Sequence, residues 1–345
     1  MPGVEMALAR VDDVRARAVR LLGPLARPLL VDREARVAWL GVSLVAVAFG
    51  LVGVLPMWVL ALGPIVWGVP HVAADVRYLV TRPGYHRRVL VGVPAALGMI
   101  AAYAGCGLAA VLAGAAVSVL LSRGSLSRRL VVTAPLVLLA FFCARAPSFS
   151  TLVFAHVHNA IAVLFFALWR RRRGNAHLFV LAASVLGTLA IGAGTFDRVA
   201  DRATALGSVT FDDLSDELAP PELIGRFGSD PHWPGRLVLL YAFGQSVHYV
   251  VWLRLVPEED RPSPTPRSFR QSWRALRRDL GLVFLLTCAV VAIGVAIWAA
   301  HDLATARFRY LQLAFFHGWL ELAAGAVMLA EGRRVVASSA PAVAR

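Results

Sequence analysis

Charged residues are scarce in this 345-residue sequence, and lysine is missing altogether. Charged side chains make up 16% of the chain and hydrophobic ones 58%. In ordinary soluble domains, about 25% of the residues are charged and roughly 45 to 50% are apolar. Together with a mean hydropathy of +0.67, this composition excludes a soluble globular enzyme. It predicts an all-α fold, a polytopic integral membrane helix bundle.

Cysteine is also rare. Cys106, Cys143 and Cys288 stand singly in apolar runs, and no two of them have the close spacing of a redox or zinc motif. We therefore expect neither a disulfide framework nor a thiolate metal site.

The formal net charge of +14 comes from arginines that lie in short clusters between the apolar runs. Proteins that bind nucleic acid gather their basic residues on one segment or one face instead. We therefore expect no nucleic-acid partner. Clusters between apolar runs are typical of cytoplasmic loops in membrane proteins.

Ten apolar stretches are candidates for membrane-spanning helices. They cover residues 37–55, 57–80, 89–105, 107–121, 130–144, 151–169, 177–194, 236–256, 280–300 and 310–330. The doubtful part is 89–121, which is long for one span of about 20 residues and short for two. If the chain turns near Gly105 and Gly107, the arginine clusters at 10–36, 82–88, 123–129, 170–173, 261–278 and 333–334 all fall on one side. The positive-inside rule thus favours ten helices with both termini in the cytoplasm, with eight or nine as alternatives.

The segments outside the spans complete the predicted organisation. Residues 1–36 form a basic cytoplasmic segment, either as an amphipathic helix on the membrane surface or as a disordered tail. The transmembrane domain, 37–334, contains an external acidic loop at 195–235 and an internal basic loop at 257–279, and a tail follows at 335–345. We expect the acidic loop to be a solvated connector with a small helix around 212–218. A lid over an external opening is the alternative.

Ionisable residues inside the apolar stretches are the strongest functional signal, because each costs roughly 2.5 to 3.5 kcal/mol on insertion scales. Three stretches carry a pair of polar residues spaced to share one helix face: His71 with Asp75, Gln245 with His248, and His317 with Glu321. His156 and His158 are only two residues apart, so one of them at most can face a common site. All these groups fall at similar depth in four spans that run in the same direction. Their side chains can therefore converge on one site.

This convergence predicts a metal site. The expected ligands are His71, His248, His317 and either His156 or His158. Asp75 and Glu321 are expected to ligate the metal or to orient an imidazole, and Gln245 to donate a hydrogen bond to a bound oxygen species. A shell of histidine and carboxylate without cysteine favours iron over copper or zinc. The alternative is that each histidine only forms a hydrogen bond to a neighbouring helix.

Aromatic residues cluster near the histidines and predict a slot for a flat, lipophilic substrate that enters from the bilayer. They are Trp58, Trp67, Phe154, Phe165, Phe166, Tyr241, Phe243, Tyr249, Trp252, Phe315, Phe316 and Trp319. An interfacial belt or ordinary helix packing is the alternative. The expected partners are thus a lipophilic small molecule and membrane lipid.

Two segments resemble a known family. GVPHVAAD, residues 68–75, resembles the G-(L/I)-P-H-G-A-x-D signature of the Brp/Blh family of membrane β-carotene 15,15'-dioxygenases. FGQSVHYVVWLRL, residues 243–255, is similar to the later H-S-x-x-H segment of that family, although Gln245 replaces its first histidine and His248 comes one residue early. The resemblance implies an all-helical fold, a non-haem iron held by histidines, and His71 as one of the iron ligands.

The sequence therefore predicts a metal-dependent oxidoreductase of a bacterial plasma membrane. Its expected chemistry is that of a non-haem iron oxygenase acting on an apolar polyene or lipid. Two other classes stay open. A haem-binding redox protein would use two histidines as axial ligands, and a proton-coupled transporter would relay protons through the same histidines and carboxylates.

Overall fold

The computed structural model describes residues 2–168, 174–225, 227, 230–261 and 265–332. It is 85% helical, and the one sheet in these residues is a two-stranded hairpin. The all-α class predicted from composition is confirmed. Trp169 at the end of a predicted span, the arginine clusters at 170–173 and 333–334, and the tail at 335–345 lie outside the described residues.

The helices are named in chain order. The first nine are α1 (Pro2–Leu21), α2 (Ala26–Val31), α3 (Arg33–Val54), α4 (Pro56–Asp75), α5 (Val89–Ala101), α6 (Gly107–Leu120), α7 (Leu126–Arg145), α8 (Pro147–Leu168) and α9 (Ala176–Gly192). The others are α10 (Asp197–Ala200), α11 (Phe211–Leu218), α12 (Pro221–Ile224), α13 (Trp233–Val250), α14 (Val256–Glu259), α15 (Phe269–Leu280), α16 (Leu282–His301), α17 (Leu303–Ala314) and α18 (Phe316–Glu331). The hairpin consists of β1 (Ala205–Leu206) and β2 (Val209–Thr210). Wider π-helical turns extend α4 (Val76–Thr81), α5 (Ala102–Cys106) and α13 (Val251–Leu255), and 3-10 turns cover Gly23–Leu25 and Tyr85–Arg87.

Several helices are suited to a lipid environment. Seven stretches of the described chain are long and apolar enough to cross a membrane: Arg33–Val54, Pro56–Thr81, Val89–Leu120, Leu126–Arg145, Pro147–Ala167, Leu282–His301 and Leu303–Glu331. They expose many large apolar side chains, and α16 has no buried residue at all. Because water would not tolerate so much exposed apolar surface, lipid must cover it. The chain is therefore a multi-pass membrane protein.

The stretch Val89–Leu120 is a helical hairpin rather than one straight helix. Gly105 and Gly107 have φ angles of 102° and 62°, a region that residues with a side chain avoid. The chain reverses there, so α5 packs along α6. A Cβ atom on Gly98 would lie 3.2 Å from the Cα of Gly114, so the two glycines allow close approach. The predicted turn near Gly105 and Gly107 is thus present.

Two surface helices pair at the arginine-rich end of the bundle. The carboxylate of Asp12 in α1 accepts hydrogen bonds from the backbone N–H groups of Phe269 and Arg270, at 2.7 and 3.2 Å. It thereby satisfies free donors in the first turn of α15. Arg274 forms an ion pair with Glu5 at 2.6 Å. Of the two interpretations of the N-terminal segment, the structure shows the helix.

The acidic segment packs onto the bundle. Its helix α11 begins with a capping box between Thr210 and Asp213, close to the predicted position, and it buries the side chains of Phe211, Leu214 and Leu218. Arg236 donates two hydrogen bonds to Asp197, at 2.9 and 2.6 Å, and these hold the pKa of Asp197 below its usual range. The expectation of a solvated connector is corrected: apolar contacts and ion pairs fix the segment over the bundle.

Candidate metal centre

Four helices bring histidines close together inside the bundle. His71 lies on α4, His158 on α8, His248 on α13, and His317 on α18. Helix α13 is the central one, because it contacts α3, α4, α8 and α9, and most of its side chains are buried. His248, in its last turn, therefore faces protein rather than lipid.

His71 and His248 make the closest contact in the cluster. Their Nε2 atoms are 2.9 Å apart, and both residues are 1% exposed. Asp75 Oδ2 lies 3.2 Å from His71 Nε2, and Glu321 Oε1 lies 3.2 Å from His248 Nε2. The result is a buried line of carboxylate, imidazole, imidazole and carboxylate that joins three helices.

His317 completes a group that could hold a metal ion. Single ligand atoms of His71, His248, His317 and Glu321 all lie within 4.8 Å of one another. His317 Nδ1–H donates a hydrogen bond to the carbonyl of Ala314 at 2.6 Å, which leaves the lone pair of Nε2 available. Two nitrogens that each lie about 2.1 Å from one ion can be at most about 4.2 Å apart, and the 2.9 Å between Nε2 of His71 and Nε2 of His248 is within that limit.

His158 lies at the edge of this group. Its Nδ1–H donates to the carbonyl of Phe154 at 3.2 Å, so its Nε2 is also left as an acceptor. Its ring centroid is 5.3 Å from that of His248 and 5.5 Å from that of His317. It is therefore near enough to be a fourth histidine of the site.

His156 lies outside the cluster, although the sequence made it one of two candidates. Its Nε2 donates to the carbonyl of Leu218 in α11 at 2.8 Å, and its ring lies against Tyr241. The reason is the helical repeat, since two residues correspond to roughly 200° around α8. Of the pair, the structure places His158 toward the other histidines.

Polar atoms without partners support a cation at this position. Among the described residues, Nδ1 of His71 and both carboxylate oxygens of Asp75 are buried without a hydrogen bond. Each such atom costs about 1 to 3 kcal/mol, so proteins tolerate them mainly where function requires it. A bound cation would offset the cost at the carboxylate, so the residues fit a metal ion.

The cluster opens into a cavity of about 930 Å³, within the range of ligand sites in proteins. Its aromatic lining consists of Tyr103, Tyr241, Tyr249, Phe308, Tyr310, Phe315 and Trp319. Tyr103, Phe308 and Leu313 are 50%, 45% and 66% exposed, so apolar side chains surround the opening. Gln245 also lines the cavity, and its Nε2–H donates to the hydroxyl of Tyr241 at 3.4 Å.

The sequence interpretation included only part of this lining. Tyr241, Tyr249, Phe315 and Trp319 line the cavity as expected for a slot, whereas Trp58 and Trp67 are exposed on the lipid side. Tyr103, Phe308 and Tyr310 were missed, because they lie in turns or near span ends where aromatic residues normally mark the interface.

One charged contact beside the cavity was also not foreseen. Buried Arg307 donates one hydrogen bond to the carbonyl of Leu60, at 3.0 Å, and another to Glu217 of α11, at 2.9 Å. Glu217 and Leu218 also line the cavity, so α11 covers part of it. No motif in the sequence links these residues, which are far apart along the chain.

The function of this centre must be inferred from the geometry of its side chains. Comparison of the chain with protein-family models, with curated proteins and with solved structures found no match.

Proposed function

We propose that this chain is a membrane oxidoreductase that binds non-haem iron and uses O₂ to oxidise an apolar polyene or lipid. The proposed ligands are His71, His248, His317 and Glu321, with His158 as a further candidate. The observation that carries the proposal is that a buried group of ligand atoms within 4.8 Å of one another opens into a large cavity with aromatic walls. The resemblance of residues 68–75 to the Brp/Blh family points to the same chemistry.

The donor set favours iron. Imidazole nitrogen and carboxylate oxygen, with no thiolate, are the ligands of many non-haem iron oxygenases. When bound, iron would supply the activation of O₂ at a coordination position that the protein leaves open.

The protein's own residues would bind and orient the substrate. The aromatic walls bury a flat apolar molecule and exclude water, and the exposed apolar rim allows entry from lipid. The amide of Gln245 lies on the cavity wall, where it can donate a hydrogen bond to an oxygen species. Asp75 approaches the same nitrogen of His71 that faces His248, so it acts on the ligand side of the imidazole.

We also propose that the chain crosses the membrane ten times, with both termini in the cytoplasm. The hairpin Val89–Leu120 then counts as two passes, so the seven apolar stretches make eight passes. Helices α9 and α13 add the other two. Helix α13 needs less apolar sequence because protein surrounds it. The arginine clusters then all lie on the cytoplasmic side, and a bacterial plasma membrane would suit this arrangement.

The two alternative functions fit the geometry unequally. The pair that the sequence offers for a haem is His156 with His248 or His317, and His156 instead donates to the carbonyl of Leu218. A proton-coupled transporter is favoured by one observation, the continuous line from Asp75 through both imidazoles to Glu321.

Metal analysis of the purified full-length protein tests the proposal. We expect roughly one iron ion per chain without a Soret band, and loss of the iron in His71→Ala and in His248→Ala. The matched control is His156→Ala, which removes a histidine of the same bundle from outside the cluster and should keep the iron. Size-exclusion profiles must show that all variants are folded.

Three results would contradict the proposal. They are a wild-type protein without iron, full iron occupancy in a folded His71→Ala variant, and equal iron loss in His156→Ala. A protein without metal that moves protons across a vesicle membrane would favour the transporter instead.

A further inference from the structure

A second cavity of about 930 Å³ lies at the arginine-rich end of the bundle, along a face of α4 different from the one that carries His71. Its walls come from α1, α2, α3, α4, α15, α16 and the chain that follows α13. The charged residues that line it are Arg15, Arg36, Arg77, Arg254, Arg261 and Arg267. Among the described residues, no carboxylate lines it.

These six arginines outnumber the carboxylates that act on them among the described residues, which are Glu258, Asp279, Asp260 and Asp12. Arg36 and Arg254 contact Glu258 at 2.5 and 2.9 Å, and Arg261 contacts the same carboxylate. Arg77 pairs with Asp279 at 2.8 Å. Burial, together with the neighbouring arginines, lowers the pKa of Arg261 to about 9. The region therefore holds an excess of buried positive charge.

Two further arginines increase this excess. Arg15 uses its Nη1–H to donate a hydrogen bond to the backbone carbonyl of Arg267, at 2.8 Å. Neither guanidinium forms an ion pair with a carboxylate in the described part of the chain. Both are only partly buried, so an anion in the cavity could reach them together with Arg254.

The remainder of the cavity is apolar. Small or aliphatic side chains line the groove between α4 and α16: Val69, Ala73, Leu285, Cys288, Ala289 and Ala292. Because α16 has no buried residue, this groove lies beside lipid rather than under a protein layer. Its shape and chemistry suit a hydrocarbon chain.

We propose that this cavity binds an anionic phospholipid of the cytoplasmic leaflet. Its phosphate lies among Arg15, Arg254 and Arg267, and one acyl chain lies between α4 and α16. Guanidinium groups bind phosphate oxygens in pairs of parallel hydrogen bonds, and basic pockets between helices on the cytoplasmic side are typical headgroup sites. A free phosphate ion would leave the apolar groove unused, which is why we assign a lipid.

Native mass spectrometry of the full-length protein in detergent tests the headgroup part. The protein is titrated with phosphatidylglycerol and, separately, with phosphatidylcholine of the same acyl chains. We expect phosphatidylglycerol to bind about tenfold more tightly, and the double variant Arg15→Gln/Arg267→Gln to lose that preference. The matched control Arg87→Gln/Arg123→Gln removes two exposed arginines that do not line the cavity, and it should keep the preference.

A second pair of variants tests the acyl-chain part. Ala289→Trp fills the groove and should weaken binding of phosphatidylglycerol about tenfold, whereas Val290→Trp, on the neighbouring position of the same helix, should not. Since α16 has no buried residue, both variants should fold. Equal binding of the two lipids, equal loss in both arginine pairs, or displacement of the lipid by an equal concentration of glycerol 3-phosphate would each overturn the proposal.

Discussion

At the scale of single residues, the two buried carboxylates, Asp75 and Glu321, make different contacts with the histidines. Glu321 belongs to the group of ligand atoms that lie within 4.8 Å of one another, together with His71, His248 and His317. Asp75 contacts one member of that group, His71, from the next turn of the same helix. Glu321 is thus the better placed of the two to bind a shared ion, and Asp75 contacts one candidate ligand.

This difference predicts unequal effects of neutralising the two carboxylates. Asp75→Asn keeps the size of the side chain but removes its charge, so we expect iron affinity to fall about 10- to 100-fold. Glu321→Gln removes the negative charge of a carboxylate that belongs to the ligand group, and it should cost more. Competition with a chelator, read out as iron retained per chain, measures both. Wild-type retention by Asp75→Asn would show that this carboxylate has no role in holding the ion.

The spacing of residues along the sequence limits which side chains of the candidate site could be predicted. Spacing determines the angle between two side chains on one helix, and this was enough to pair His71 with Asp75. His317 and Glu321 do fall in one group, but the direct contact of Glu321 is with His248 on another helix. It does not determine how a helix is rotated against its neighbours. The choice between His156 and His158 therefore needed the packing of α8 against α11, where the carbonyl of Leu218 holds His156.

At the scale of helices, local backbone features shape the site in ways that the sequence does not signal. A π-helical turn begins directly after Asp75 in α4, and another begins three residues after His248 in α13. Such turns occur frequently at functional sites, because they redirect the following side chains. The hydrophobic pattern located both helices, but it carries no signal for the wider turn. Position and helical class were predictable here, and local helix geometry was not.

The hairpin of α5 and α6 gives a prediction at this scale. A Cβ on Gly114 would overlap the carbonyl oxygen of Pro94, so Gly114→Val must push the two helices apart. We expect a destabilisation of about 1 to 3 kcal/mol, measured as a lower melting temperature in detergent. Gly50→Val is the matched control, because a Cβ there meets no atom within 4 Å. Equal melting temperatures of the two variants would show that α5 and α6 are not in close contact.

At the scale of the whole molecule, one helix separates two sites of different chemistry. Helix α4 presents His71 and Asp75 to the candidate metal centre, and Val69 and Ala73 to the arginine-lined cavity. The sequence indicated the first of these sites, because histidine is rare inside an apolar span. It did not indicate the second, because arginine clusters are expected in the cytoplasmic loops of any membrane protein. Their presence therefore does not predict a binding site. The cavity depends on segments far apart in sequence, from Arg15 to Ala292.

The proposed orientation of the whole chain can be tested at two positions, one at the start of α7 and one in α11. With ten passes, Ser127 lies in the cytoplasm and Asp216 outside. If Val89–Leu120 were a single span, and α9 and α13 did not cross, both positions would lie on the same side. In a background without Cys106, Cys143 and Cys288, the variants Ser127→Cys and Asp216→Cys are labelled in intact cells with a reagent that cannot cross the membrane. We expect labelling at position 216 alone. Labelling at both positions, or protection of both, would contradict ten passes, because each crossing of the membrane reverses the side on which the chain emerges.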